Sequence, residues 1–196
     1  MWVLGVILHS LYYISPAYCA NSFAVFGGGK PVDFGKSWRG KRIFGDGKTW
    51  RGLAVGVIAG TLFGLMWFYL SQSGSLNETY YGVFNFKITD PLFGLYLSIG
   101  AMAGDLANSF LKRRMGLKPG APLWGLDQWN MLFGGLFFAW LLAPTFIIWQ
   151  EFAALLIITF AIHLFGNQIA YHTHQKRVRW LIGLQSRVLC PRLWAS

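Results

Sequence analysis

Gly104-Asp105-Leu106-Ala107-Asn108-Ser109-Phe110-Leu111-Lys112-Arg113-Arg114 places an acid inside an apolar segment, a hydroxyl four residues later, and then three consecutive cations. Read as a helix, the stretch brings Asp105, Ser109 and Lys112 onto one face. A carboxylate in apolar surroundings is costly unless it is paired or bound to a metal. Asp105 therefore marks either chemistry or an internal ion pair with Lys or Arg. Asp127 follows after a link containing Lys118-Pro119-Gly120-Ala121-Pro122, which reads as a turn.

The rest of the chain supplies the setting. Of its 196 residues 55% are apolar and 12% charged, against about 25% charged in a soluble domain. That balance excludes an ordinary soluble enzyme. Apolar runs over roughly 2–24, 53–70, 91–112, 128–150 and 152–171 are long enough to cross a bilayer. The expected fold is an all-α polytopic membrane protein of five transmembrane helices, with the fourth and fifth joined around 147–151. The first run lacks a basic start, so it reads as a span and not a signal peptide. Pro16 is expected to bend it. Gly56, Gly60 and Gly64 recur every fourth residue in the second, a pattern for close helix approach. Asp90-Pro91 reads as the start of the third helix. Trp67, Trp140, Trp149 and Tyr171 are candidate interface anchors.

Charge gives the orientation. Segment 27–52 carries +5, 71–90 carries −1, 112–127 carries +3 and the tail from His172 carries +5. An N-terminus outside and a C-terminus in the cytoplasm satisfies every term of the positive-inside rule. The net charge of +10 is then explained by topology, and no nucleic-acid partner is expected. For Arg114 and Lys118 that role suffices. Cys19 and Cys190 suggest no disulfide framework, Asn77-Glu78-Thr79 matches a glycosylation pattern only weakly, and the four histidines do not make a zinc site.

Two polar segments thus face the cytoplasm. The first contains Gly45-Asp46-Gly47-Lys48-Thr49-Trp50-Arg51-Gly52. Its glycines permit close backbone approach, and Lys48 and Thr49 have the chemistry to meet phosphate oxygens. A P-loop is excluded by spacing, because Arg42 stands where the first glycine belongs. The second runs from Asp105 to Asp127. Hard carboxylate oxygens suit Mg²⁺, whose shell substrate phosphates commonly complete. Asp105 and Asp127 are the metal candidates, with Asp46 as a third. Asp127 reads equally as a helix N-cap, and Ser109 equally as a backbone-bonded helix serine. Lys48, Lys112 and Arg113 are candidates to neutralise phosphates during transfer. Asn21, near the cytoplasmic end of the first span, reads as a cap or a ligand contact.

These segments together resemble the CDP-archaeol synthase family, also called CTP:2,3-di-O-geranylgeranyl-sn-glycero-1-phosphate cytidyltransferase, which is related to the larger CDP-diacylglycerol synthases. The resemblance rests on Val32-Asp33-Phe34-Gly35-Lys36, on 45–52, on Gly104-Asp105 with Ser109, Phe110, Lys112, Arg113 and Arg114, and on Pro119-Gly120 and Asp127-Gln128. It runs from residue 1 to about Trp180, leaving 181–196 as a basic extension. It implies a CTP-dependent nucleotidyltransferase of the cell membrane with a cytoplasm-facing polar active site and Mg²⁺ as cofactor. The lipid phosphate attacks the α-phosphorus of CTP and pyrophosphate leaves.

By that resemblance Lys48, Asp105, Lys112, Arg113 and Asp127 are catalytic. Asn21, Lys36, Asp46, Thr49, Arg51 and Ser109 bind substrate. Asp105, Asp127 and Asp46 hold the metal. The expected partners are CTP, a membrane lipid phosphate and the bilayer, with a homodimer admitted. Asn130 stands where larger bacterial relatives carry a second aspartate, and Leu123-Trp124-Gly125 replaces their histidine-glycine-rich approach. Both departures favour the short archaeal-type branch, with phosphatidate as the alternative acceptor. A small transporter is the competing class, since intramembrane acids also line pathways. No internal repeat supports it.

Overall fold

The computed structural model describes residues 2–73, 88–117, 121, 123, 125–142 and 149–166, with the backbone of 167–172. Asn77, Lys118, Pro119, Gly120, Pro122, Trp124, Pro144, His174, Cys190 and the extension 181–196 lie outside these residues, as does the side chain of Tyr171. Among the described residues five helices account for nearly all of the regular structure: α1 (Trp2–Phe23), α2 (Trp50–Gln72), α3 (Phe93–Arg114), α4 (Leu126–Leu142) and α5 (Trp149–His172). Each falls on an expected run, so the all-α reading holds. Helix α4 is described as far as Leu142, and α5 begins at Trp149, ahead of the expected start at 152.

Three of the five, α1, α2 and α5, are long and apolar enough to cross a membrane by length and composition. At 1.5 Å per residue, a helix of 22 to 24 residues covers the roughly 30 Å hydrocarbon core. Helix α4 has 17 residues, and α3 carries Asp105, Asn108 and three terminal cations. Both are packed among neighbours that shield their polar groups.

Glycine sets how closely these helices meet. The stripe on α2 works as its spacing predicts. A Cβ at Gly56 would lie 2.7 Å from the Ala20 carbonyl, one at Gly60 2.5 Å from that of Pro16, and one at Gly64 2.4 Å from Gly94 Cα. Helix α2 therefore lies directly on α1 and α3. The α3–α4 interface, the most extensive in the bundle, is tighter still. A Cβ at Gly100 would sit 2.3 Å from the Gly134 carbonyl, and one at Gly104 2.1 Å from that of Asn130. Leu97, Ala101, Met131 and Leu132 fill the core beside this seam. Trp67, expected as an interface anchor, instead donates its indole N–H to Ser15 Oγ at 2.8 Å inside the bundle. Trp140 and Trp149 are exposed, as anchors should be. Asp90 accepts from the Leu92 N–H at 2.8 Å just before α3, consistent with its role as a start signal.

Segment 28–49 folds into a cap over the loop end of α3. Its local device is a hairpin: β1 (Ser37–Trp38) pairs antiparallel with β2 (Lys41–Arg42), Ser37 opposite Arg42. The two linking residues, Arg39 and Gly40, have φ of 51° and 74°. Positive φ at both positions matches the hairpin turn whose twist suits the flanking strands. The centre of the cap is Asp33. Its buried carboxylate accepts from Arg42 Nη2 at 2.7 Å and from the backbone N–H groups of Gly35, Phe44 and Gly45, each at 3.0 Å. The Arg42 hydrogen bond comes first, and with the three backbone donors it outweighs burial and holds the carboxyl well below its ordinary range.

Arg114 ties the cap down. It donates to the carbonyls of Trp38, Lys41 and Arg42 at 2.6, 2.9 and 2.7 Å, and its guanidinium lies over the rings of Trp38 and Phe110. Topology alone therefore does not account for Arg114. It is a structural clamp, because a planar five-donor group can serve several carbonyls at once.

Two outcomes test this architecture by thermal unfolding of detergent-solubilised protein. Gly104→Ala, which drives a methyl into the Asn130 carbonyl, should cost about 1–3 kcal/mol, whereas Gly166→Ala, which meets open space, should be near neutral. Asp33→Asn should cost about 2–3 kcal/mol at neutral pH. Because the folded pKa is depressed, that advantage is full above the ordinary carboxylate range near pH 4. The gap between wild type and variant should shrink as pH falls below it.

Candidate active site

The α3–α4 register builds the site. Gly100 meets Gly134, Gly104 meets Asn130, and one turn further Asn108 meets Asp127. Because every fourth residue of α3 returns to the seam, the glycine contacts fix where the polar side chains land. Asn108 Nδ2 donates to Asp127 Oδ1 at 2.6 Å, and Lys112 Nζ reaches both Asp127 oxygens at 2.9 and 2.8 Å. The Leu123 N–H also donates to Asp127 Oδ2 at 2.8 Å. Asp127 lies in the first turn of α4, yet its carboxylate reaches back toward the preceding link and across to α3. It does not serve as a simple cap.

The second carboxylate takes its cation from the cap. Lys48 Nζ contacts Asp105 Oδ2 directly, across 57 positions of sequence. Thr49 Oγ1 accepts from the Gly52 N–H at 3.0 Å and so caps α2, which fixes the backbone next to Lys48. Asp105, Asn108 and Lys112 form a row at i, i+3 and i+7 on α3. Two Lys–Asp pairs therefore flank one amide. Side-chain exposures are 26% and 18% for Lys48 and Asp105, and 13% and 7% for Lys112 and Asp127. The pairing is the physical reason that two carboxylates persist in an apolar bundle.

The remaining expected site residues divide. Ser109 and Arg113 are half-buried beside the row. Asn21 lines a cavity of about 250 Å³ with Tyr18, Ser22, Met131, Thr159 and His163. Lys36 is exposed on the cap and Arg51 is exposed in the first turn of α2, its stem against Gly29. Asp46 is 80% exposed and pairs with Arg42 at 2.8 Å. Among the described residues no polar contact joins it to Asp105 or Asp127.

Asn108 was the omission. Its helical spacing from Asp105 and Lys112 is readable in the sequence, but a neutral amide lacks the charge that demands a partner in an apolar segment. A carboxylate only accepts, so Asp127 fixes the Asn108 amide with Nδ2 toward it. Asn108 Oδ1 is then left buried and without a hydrogen-bond partner among the described residues. No cluster of three or more His, Cys, Asp or Glu occurs among those residues. The oxygen donors on hand are two carboxylates and this orphaned amide oxygen. That set fits Mg²⁺, which takes few protein ligands and fills its shell with water and phosphate.

Comparison with known proteins identifies the family and the fold. The family described as "CarS-like: CDP-archaeol synthase" matches residues 3–180. A CDP-archaeol synthase of Pyrococcus horikoshii is 44% identical over 181 residues, covering 90% of this chain and 99% of that protein. One of Methanocaldococcus jannaschii is 40% identical over 174 residues, covering 87% and 96%. A solved structure described as "Structural insight into an intramembrane enzyme for archaeal membrane lipids biosynthesis" superposes with a TM-score of 0.67 at 32% identity, covering 82% of this chain and 94% of that one. On the family match, the near full-length relatives and the common fold, this chain belongs to the CDP-archaeol synthase family.

Proposed function

We propose that the chain transfers the cytidylyl group of CTP to an archaeal-type lipid phosphate, 2,3-bis-O-(geranylgeranyl)-sn-glycerol 1-phosphate, releasing pyrophosphate and leaving a CDP-archaeol-type lipid in the bilayer. The observation that carries the assignment of roles is the pair of Lys–carboxylate contacts, Lys48–Asp105 and Lys112–Asp127, on one face of α3 beneath the cap. Family membership supports the activity itself.

The chemistry follows from charge. A lipid phosphate oxygen attacks the α-phosphorus of CTP as the bond to the pyrophosphate oxygen breaks. The nucleophile is already an anion near neutral pH, so no strong general base is required. Lys48 and Lys112 exchange their carboxylates for phosphate oxygens and offset charge as it moves toward pyrophosphate. Arg113 adds a third cation at the same helix end. Asp105, Asp127 and the Asn108 amide oxygen would hold Mg²⁺, which supplies further neutralisation of the nucleotide phosphates. Thr49 orders the backbone beside Lys48, and Ser109 borders the pocket.

Five spans, with the N-terminus outside, place the cap and the α3–α4 link in the cytoplasm, where CTP is found. The loop charges of +5, −1, +3 and +5 support that orientation. The lipid arrives laterally, since its chains remain in the hydrocarbon.

Purified protein supplied with radiolabelled CTP, Mg²⁺ and the ether-lipid phosphate should form a labelled CDP-lipid plus pyrophosphate. Phosphatidate in a parallel reaction reads the lipid class, and absence of turnover with both acceptors would count against the activity. Asp105→Asn and Asp127→Asn should each reduce kcat by about 100-fold or more, as expected when one carboxylate ligand of the charge-neutralising metal is lost. Near-full turnover in either variant would remove that carboxylate from the centre.

A further inference from the structure

One polar side chain near the ion pairs is left unexplained. Gln128, the residue after Asp127, is fully buried, and neither its Oε1 nor its Nε2 has a hydrogen-bond partner among the described residues. Burying an amide with both ends unmet is unfavourable, and native structures rarely keep one without a use. An apolar residue of similar volume would suit the packing better if packing were its only task.

Its position narrows the use. Gln128, Leu132, Gly135 and Ala139 form one buried row of α4. A Cβ on Gly135 would touch Leu97 and Ala17, so the row faces α3 and α1. Gln128 is the member of that row next to the site. Adjacent helical residues diverge by about 100°, which sets the ends of the Asp127 and Gln128 side chains roughly 8 Å apart. That is the separation of two groups on one ligand, not of two groups sharing a hydrogen bond.

Chemistry narrows it further. A carboxamide offers a donor and an acceptor side by side. Ionised phosphate and ether oxygens only accept, so they would leave Oε1 unmet. The Watson–Crick edge of cytosine presents an amino donor next to a ring-nitrogen acceptor. It answers both halves of the amide at once.

We propose that Gln128 reads the cytosine base, its Oε1 accepting from the 4-amino group and its Nε2 donating to N3. This rests on Asp105 and Asp127 marking the transfer centre, and it makes Gln128 a specificity residue of the same site. The phosphates then lie toward the lysines while the base enters the α1–α3 side of α4.

The test is a cycle between side chain and substrate on the full chain in detergent. kcat/KM is measured for CTP, for the triphosphate of pyrimidin-2-one riboside, which lacks the 4-amino group, and for 2′-deoxy-CTP. The proteins are wild type, Gln128→Leu and Gln128→Met, each with a thermal melt. Wild type should lose about 10- to 100-fold on removal of the amino group. Gln128→Leu should lose a similar factor with CTP, mainly through KM, and should then use the deamino analogue as well as it uses CTP. Its melting temperature should be unchanged or raised, because an unmet buried amide has gone.

Wild type that is indifferent to the amino group overturns the proposal without any variant. So does a leucine or methionine variant that keeps wild-type kcat/KM for CTP, the result for an amide that only holds an ordered water. A variant that cancels the 2′-deoxy penalty instead would show that the amide reads ribose, and would equally overturn it. These outcomes are scored on turning-over enzyme, so they stand apart from a failure of the Asp105 or Asp127 assignment, which appears as turnover retained in the Asp→Asn variants.

Discussion

The close approach of α3 to α4 is the constraint on which the site depends. Gly100 and Gly134 let two backbones come within reach of each other, and Gly104 accepts the carbonyl of Asn130. In a bilayer no hydrophobic force drives helices together, so packing of small residues carries the association. With the register fixed by those contacts, Asn108 and Lys112 arrive at Asp127 one and two turns further along α3. A longer side chain at the seam would separate the helices and the polar groups together. Glycine packing and polar chemistry are therefore one feature seen at two levels.

The cap answers a different problem. It must hold Lys48 over Asp105 from a segment with little apolar mass of its own. Asp33 does this by gathering Arg42 and three backbone N–H groups around one buried carboxylate. Arg114 then fastens the hairpin carbonyls to the end of α3. Both devices use charge-assisted hydrogen bonds, which are stronger and more directional than neutral ones. The result is a polar lid attached to a membrane bundle with its lysine already aimed.

Pairing also satisfies the carboxylates of α3 and α4. A Lys–carboxylate pair this far out of water gains little net free energy from the contact itself, because desolvation offsets the attraction. Under the proposed function, such a pair would give way to a polyanion and a cation without a large loss. In the proposed reaction the two pairs would present cations to phosphate and carboxylates to metal. The His9–Glu151 contact at 2.5 Å, by contrast, joins α1 to the first turn of α5, away from the cap. It serves the bundle and has no part in this exchange.

What the linear chain determined was the set of helices and the cast of charged residues. Apolar runs of spanning length leave little choice but helix in a medium without water, and the i, i+4 glycines of α2 announced close packing. Asp105, Lys112 and Asp127 were legible because charge in an apolar segment demands a partner. Which partner was a tertiary matter. Nothing in the 57 positions between Lys48 and Asp105 indicates that they touch. That Arg114 clamps a hairpin, that Asp46 belongs to Arg42, and that Asn108 stands between two ion pairs also emerged only in three dimensions. The physical reason is that hydrogen bonds and ion pairs are short-ranged and directional. Spacing along a helix fixes which residues share a face, but only the packing of one helix on another decides what that face meets.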